Sequence, residues 1–280
     1  MSFTRHARTA FFAFALLLFG AREAAAVTVT PAAVYIDHRV RNGTITLYNT
    51  GTTPENVVIS FAFGYPKSDA AGEVSVALVD SAPEGEPSAV PWLRAFPRRL
   101  TLEPGARQVV RILAEPPASL GDGEYWARVV VTSSGPQPPV EQQGAERVSI
   151  ALTMQTQIIN PVIYRKGAVS TGVAVRAQAA APAANGARLL LDLAREGNAA
   201  FLGRVRAQLV APNGDVLAET EHYMAVYREL RVAVPLEVEG GRAVPPGSSV
   251  RFSIDNVRPD LPPDGPLPAR PVEGSVRVGA

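Results

Sequence analysis

The chain contains no cysteine. That excludes a disulfide framework, a thiolate metal site and a cysteine nucleophile. It has almost no excess charge, with 27 basic against 26 acidic residues, so it carries no electrostatic footprint for nucleic acid. Histidine is nearly absent too. Beyond His6, only His38 and His222 occur, and they are far apart. A lone histidine in a strand is more often structural than catalytic. The sequence has no glycine-rich phosphate loop, no nucleophile elbow and no zinc-ligand spacing. The acidic residues are dispersed and mostly beside turns. No enzyme, metal or cofactor is therefore expected. Long helical periodicity is also missing, and 25 prolines and 23 glycines punctuate the chain, favouring many short strands.

What is present begins with a targeting segment. Arg5, His6 and Arg8 precede a short apolar run, Ala10–Phe19, and Ala24, Ala25 and Ala26 supply small residues for cleavage. The run is too short to span a bilayer comfortably, and Arg22 and Glu23 end it early, which argues against a membrane anchor. Residues 1–26 are expected to be a signal peptide, with export and cleavage after Ala26. Apolar residues make up 46% of the chain and are spread along it. At roughly 100–150 residues per domain, what remains suits two domains.

Strand signals recur along the mature chain. Val27–Asp37 is interrupted by Pro31, which suits an edge or a switch between sheets. Asn42-Gly43 is a hairpin turn signal, with a glycosylation sequon as a second explanation of Asn42-Gly43-Thr44. Thr44–Asn49, Val57–Phe63, Ala106–Leu113 and Gly121–Thr132 read as strands; residues 65–88 read as short strands and loops. Asn160, Pro161 and Tyr164–Gly167 suggest an interdomain connection. The pattern then resumes, with Asn213-Gly214 as a second hairpin signal. Ala179–Gly186 could be a loop or a short helix. Arg258–Pro271, rich in proline, reads as an ordered excursion or a loose tail. Regular short strands without helical periodicity argue for antiparallel sandwiches.

One stretch stands out. Val148, Ile150, Leu152 and Met154 alternate with Ser149, Ala151, Thr153 and Gln155, giving a strand with one large-apolar face. A Pro/Gln/Gly-rich loop precedes it. An internal core strand explains this pattern. So does an edge strand whose apolar side chains are kept for a partner lacking a strand of its own.

The combination resembles a known family. Phe96–Ile112 carries a Pro-Gly-x-x-Gln-x-Val-Arg core at Pro104–Arg111. Gly123–Val129, the alternating strand at 147–157, Tyr164-Arg165, Val34–Asp37 and Ile45–Thr50 complete the pattern. Together, over residues 27 to about 166, they resemble the PapD-like periplasmic chaperones of the chaperone–usher pathway; the second half matches only as a β domain of similar size. The resemblance implies an all-β protein of two immunoglobulin-like β-sandwich domains at an angle, here 27–163 and 164–280. It implies binding of pilin-like or coat-like subunits by donor-strand complementation, with no cofactor, and an outer-membrane usher as a further partner. The implied donors are Val148, Ile150, Leu152 and Met154. Each large apolar side chain buried contributes roughly 1.5–3 kcal/mol, so four supply on the order of 6–12 kcal/mol before ordering costs. The family anchors the subunit's terminal carboxylate with an arginine and a lysine. Here the arginine position falls on Val40, between Arg39 and Arg41, with Arg41 the first choice. The lysine position falls on Gln157, with Arg165 and Lys166 as substitutes. These departures describe a divergent member. The cis or trans state of Phe96-Pro97 is left open by the sequence. The alternative is a structural fibre subunit or a two-domain Ig-like adhesin, with Val27–Val34 as its donor extension.

Overall fold

A computed structural model describes residues 27–136, 154–241, 243–263 and 265–279. The first sandwich comprises β1 (Val27–Thr30), β2 (Val34–Asp37), β3 (Asn42–Asn49), β4 (Glu55–Ala62), β5 (Lys67–Ser68), β6 (Val74–Ser75), β7 (Leu93–Phe96), β8 (Arg99–Leu102), β9 (Arg107–Ala114), β10 (Gly123–Ser134) and β11 (Gln155–Lys166). One sheet has the order β1-β3-β9-β7 and faces another of order β2-β11-β10-β4-β8; β5 and β6 form a separate small hairpin. Alternation builds the core between the two sheets. Ile45 and Leu47 of β3, Val110 and Ile112 of β9, Ile59 of β4, and Val129 and Val131 of β10 are buried; their neighbours face outward, threonines and Tyr48 on β3 and Val109, Arg111 and Leu113 on β9. This division of strands is that of an immunoglobulin-like sandwich.

The chain enters by changing sheets. β1 pairs antiparallel with β3, and beyond a cis Thr30-Pro31 bond β2 pairs in parallel with β11. Proline cannot donate to a ladder, so it suits the crossing point. Asn42-Gly43 is not the apex of a hairpin. The chain turns over residues 38–41 and β3 opens on Asn42. Glycine is required at position 43 because a Cβ there would stand 2.6 Å from Val34 Cγ1. Phe96-Pro97 is cis.

The second sandwich contains β12 (Thr171–Ala183), β13 (Gly186–Gly197), β14 (Phe201–Val210), β15 (Val216–Val226), β16 (Glu229–Glu237), β17 (Ser249–Asp255) and β18 (Val272–Arg277). β12-β13-β16 faces β15-β14-β17-β18 around a core that includes Leu189, Leu191, Phe201, Val205, Val232, Val250 and Ile254. Gly214, at a φ of 94°, lies in the β14–β15 turn that Asn213-Gly214 signals.

Two sequence expectations are corrected here. Asn160, Pro161 and Tyr164–Lys166, expected within the connection between domains, are strand: β11 pairs with β10 through Lys166 and buries Val162, Ile163 and Tyr164. Pro161 is the misleading signal. It lies just outside the segment that β2 covers, and proline is accommodated at strand edges. Ala179–Ala183 is likewise strand, the end of β12, and Gly186 opens β13. Pro182 is accommodated because β12 lies at the edge of its sheet. Of the two readings of Arg258–Pro271, the ordered excursion holds: Arg258 pairs with Asp260, and Asn256 Nδ2 donates to the Leu267 carbonyl.

Candidate functional site

β11 is paired unequally along its length. β10 accompanies it from Gln155 to Lys166, whereas β2 covers only Val162–Arg165. Among the described residues, 155–161 therefore have a strand partner on one side only. Gln155, Thr156 and Gln157 are exposed, Ile159 is 41% exposed, and Met154, just ahead of the strand, is 72% exposed. A row of main-chain donors and acceptors without a neighbour is a template for an added strand. Of the four expected donors, Val148, Ile150 and Leu152 lie outside the described residues. Met154 is described and stands free of the core.

At the other end of β11 the turn after β2 gathers basic side chains. Arg41 adopts a φ of 56°. Its Nε donates to the His38 carbonyl (3.1 Å), and its Nη2 lies 3.3 Å from His38 Nε2. His38 Nδ1 is hydrogen-bonded to the Tyr164 hydroxyl, and Lys166 Nζ donates to the Leu120 carbonyl. Desolvation, with help from Arg41 and Lys166, holds the His38 imidazole below its ordinary pKa, and burial pushes the Tyr164 phenol up. His38, which its sequence context marks as structural, thus joins Arg41 in one group. Only its closeness to Arg39 and Arg41 could have pointed to this.

The anchor candidates do not converge. Arg39 is exposed in the same turn as Arg41, its main-chain N–H held by Asp37 Oδ1 (2.7 Å). Gln157 is exposed, and its Nε2 reaches only Thr132 Oγ1 (3.4 Å). It lies up β11 from Arg165 by eight residues, about 27 Å at a rise of about 3.4 Å per residue. Arg165 faces the junction between the sandwiches. Its Nε donates to Glu124 Oε2 (2.9 Å), its Nη2 to the Gly265 carbonyl (2.6 Å), and its guanidinium lies 4.9 Å from the Tyr35 ring centroid.

That junction is a third core. Phe63, Tyr65, Trp126 and Ile163 of the first sandwich pack on Ala200, Leu202 and Tyr227 of the second. Tyr65 and Tyr227 stack at 5.5 Å, and Trp126 meets Tyr227 edge-on at 4.8 Å. Glu124, 2% exposed, ties the parts together: besides Arg165, its carboxylate accepts from Trp126 Nε1 (2.8 Å) and from the main-chain N–H of Ala200 (3.0 Å). The Tyr35 hydroxyl is buried with no hydrogen-bond partner among the described residues, and burial raises its pKa. The β5–β6 hairpin supplies a further brace. Ser68 Oγ accepts from the Arg231 N–H (2.7 Å), and Arg231 Nη1 donates to the Ala70 carbonyl (3.0 Å). Among the described residues, no group of three His, Asp or Glu could hold a metal ion, and no helix is long and apolar enough to cross a membrane.

No family model matches the chain, and no curated protein matches it. Solved structures do. The YadV chaperone is 14% identical, with 90% of this chain and 98% of that one covered at a TM-score of 0.44. The chain is similar to chaperones of pilus assembly. A chain of the CsuC–CsuE chaperone–tip adhesion subunit pre-assembly complex, from the archaic chaperone–usher Csu pili of Acinetobacter baumannii, is 12% identical (91% and 100% covered, TM-score 0.44). A chain of the Salmonella enterica SafA pilin–SafB chaperone complex is 14% identical (90% and 97% covered, TM-score 0.44).

Proposed function

We propose that this protein is a periplasmic assembly chaperone. It binds pilin-like or coat-like subunits that lack a strand and delivers them for surface fibre assembly. The observation that carries this reading is the half-paired β11. Its main-chain edge over 155–161 offers hydrogen bonds to an incomplete sheet, and an added strand is stabilised by both the ladder and alternate side chains. Val148, Ile150, Leu152 and Met154 share sequence parity with Ile158, Val162 and Tyr164 of that strand and are the side chains proposed to enter the subunit. Covering an open edge until assembly suppresses edge-to-edge aggregation. Arg41, with His38 beside it, is the proposed anchor for a subunit carboxylate; Arg165 already serves the junction. A fibre subunit with Val27–Val34 as donor extension fits less well, because β1 and β2 are paired within their own sandwich.

The test is the double substitution Ile150→Arg with Leu152→Arg. The free protein is expected to stay folded, with an unchanged far-ultraviolet spectrum and melting midpoint, while co-purified subunit disappears. Unfolding of the double variant would mean that these side chains belong to the protein's own core, and the donor reading fails.

A further inference from the structure

A second feature lies where the two sandwiches meet, away from the free part of β11. An open groove of about 900 Å³ runs between the base of the β5–β6 hairpin and the β12-β13-β16 sheet, a volume within the range of small-ligand sites. Five cations line it. Two are neutralised in place: Arg231 pairs with Asp192, and Arg228 with Glu86. Among the described residues the other three, Lys67, Arg176 and Arg195, form no ion pair.

Each of these three is held by a distinct device. Lys67 lies 5.0 Å from the Tyr65 ring centroid. Arg195 is half-buried, its guanidinium 5.6 Å from the centroid of Trp126, with Arg228 6.0 Å from the same ring. Arg176 is the extra residue of a β-bulge, where the register with β13 shifts between Val175 and Ala177; bulges re-aim side chains. On the acidic side, Asp69 is turned to the main-chain N–H groups of Ala71 and Glu73, which leaves Glu229 as the uncommitted carboxylate. Burial, and then the charge of Arg228, push the Arg195 guanidinium below its ordinary pKa. Glu124 and Glu86 offset this only in part, and an anion beside Arg195 would add to that compensation.

We infer that this groove is a binding site for a phosphate-type oxyanion, held by Arg195 and Arg176 of the second sandwich and Lys67 of the first. Arginine forks match oxyanion geometry, and charge-assisted bonds of this kind are the stronger ones. Because the ligands come from both sandwiches, occupancy would also clamp their relative orientation.

The experiment is a titration of the mature chain at low salt with inorganic pyrophosphate, read by calorimetry and by tryptophan emission, since Arg195 lies against Trp126. Saturable binding with a Kd of about 1 mM or tighter is expected. Arg195→Gln and Arg176→Gln should each weaken it about tenfold, Arg195→Lys by less, and Arg206→Gln, on β14 outside the groove, not at all. Arg176 is exposed on an edge strand, so its variant is expected to keep the parent melting midpoint, and it decides the matter if Arg195→Gln unfolds. Vesicles of phosphatidylcholine with phosphatidylglycerol form a second arm. Arginine-dependent binding to vesicles with none to pyrophosphate would overturn the free-anion assignment. Absence of saturation, or equal weakening by Arg206→Gln, would overturn the site itself.

Discussion

Replacing Glu124 by alanine tests how the two sandwiches are joined. The carboxylate is buried and serves three donors at once: Arg165 at 2.9 Å, the Trp126 indole N–H at 2.8 Å and the Ala200 amide at 3.0 Å. Truncation leaves the guanidinium, only 13% exposed, facing a hole, together with two N–H groups that water cannot easily reach. Breaking a buried ion pair from one side costs about 3–5 kcal/mol, and each orphaned N–H adds about 1 kcal/mol or more. A loss of about 5–7 kcal/mol is expected, a large part of the 5–15 kcal/mol typical of folded proteins. Glu124→Gln keeps an acceptor and loses only the charge, so about 1–3 kcal/mol is expected. Glu124→Met with Arg165→Met removes both partners and should recover most of the deficit, because apolar replacements of a buried pair are close to neutral. Urea denaturation followed by tryptophan emission measures all three. If Glu124→Ala lies within about 1 kcal/mol of the parent, or the double variant is no better than the single one, the carboxylate is not what holds the junction.

Two further predictions follow from local geometry. His38 has a lowered pKa in the folded chain, so below its ordinary value of about 6.5 the unfolded chain binds the extra proton first. Its contribution is fully present above that pH and declines as the pH falls toward the lowered value; His222, held down by burial, acts in the same sense, so melting midpoints between pH 5 and 8 should show this slope and His38→Asn should reduce it without removing it. Gly43→Val places a side chain 2.6 Å from Val34 Cγ1 and should destabilise the first sandwich by about 1–3 kcal/mol of overpacking, while Gly214→Ala, with open space around it and a φ of 94°, should cost only left-handed backbone strain, about 1 kcal/mol.

Much of the fold could be read from the chain because its cause is local. The alternation in Arg107–Ala114 reappears as alternating exposure along β9, and the proline at 31 marks the change of sheet. The errors arose where a local signal was outweighed by a distant one. Asn42-Gly43 has turn chemistry, yet its glycine is needed for close approach to β2. Pro161 suggested a break, yet Val162, Ile163 and Tyr164 around it are buried. The junction lay beyond reach for the same reason. Glu124 and Arg165 stand 41 positions apart, and Tyr227 meets Tyr65 from the other half of the chain. A charged residue between Gly123 and Tyr125, in a strand whose one other charge is Arg128, was the only hint of Glu124. For the proposed donor strand, the parity of Val148 to Met154 was legible, and the half-covered edge of β11 was not, because it depends on where β2 stops.

The β5–β6 hairpin belongs to the first sandwich by sequence and rests against β16 of the second. Neither hydrophobic core includes it. Its length can therefore drift, by insertion or deletion, with little penalty to the folding of either half, while each such change would reset the angle at which the two halves meet. A change confined to one surface loop would thus be felt at the seam between the halves.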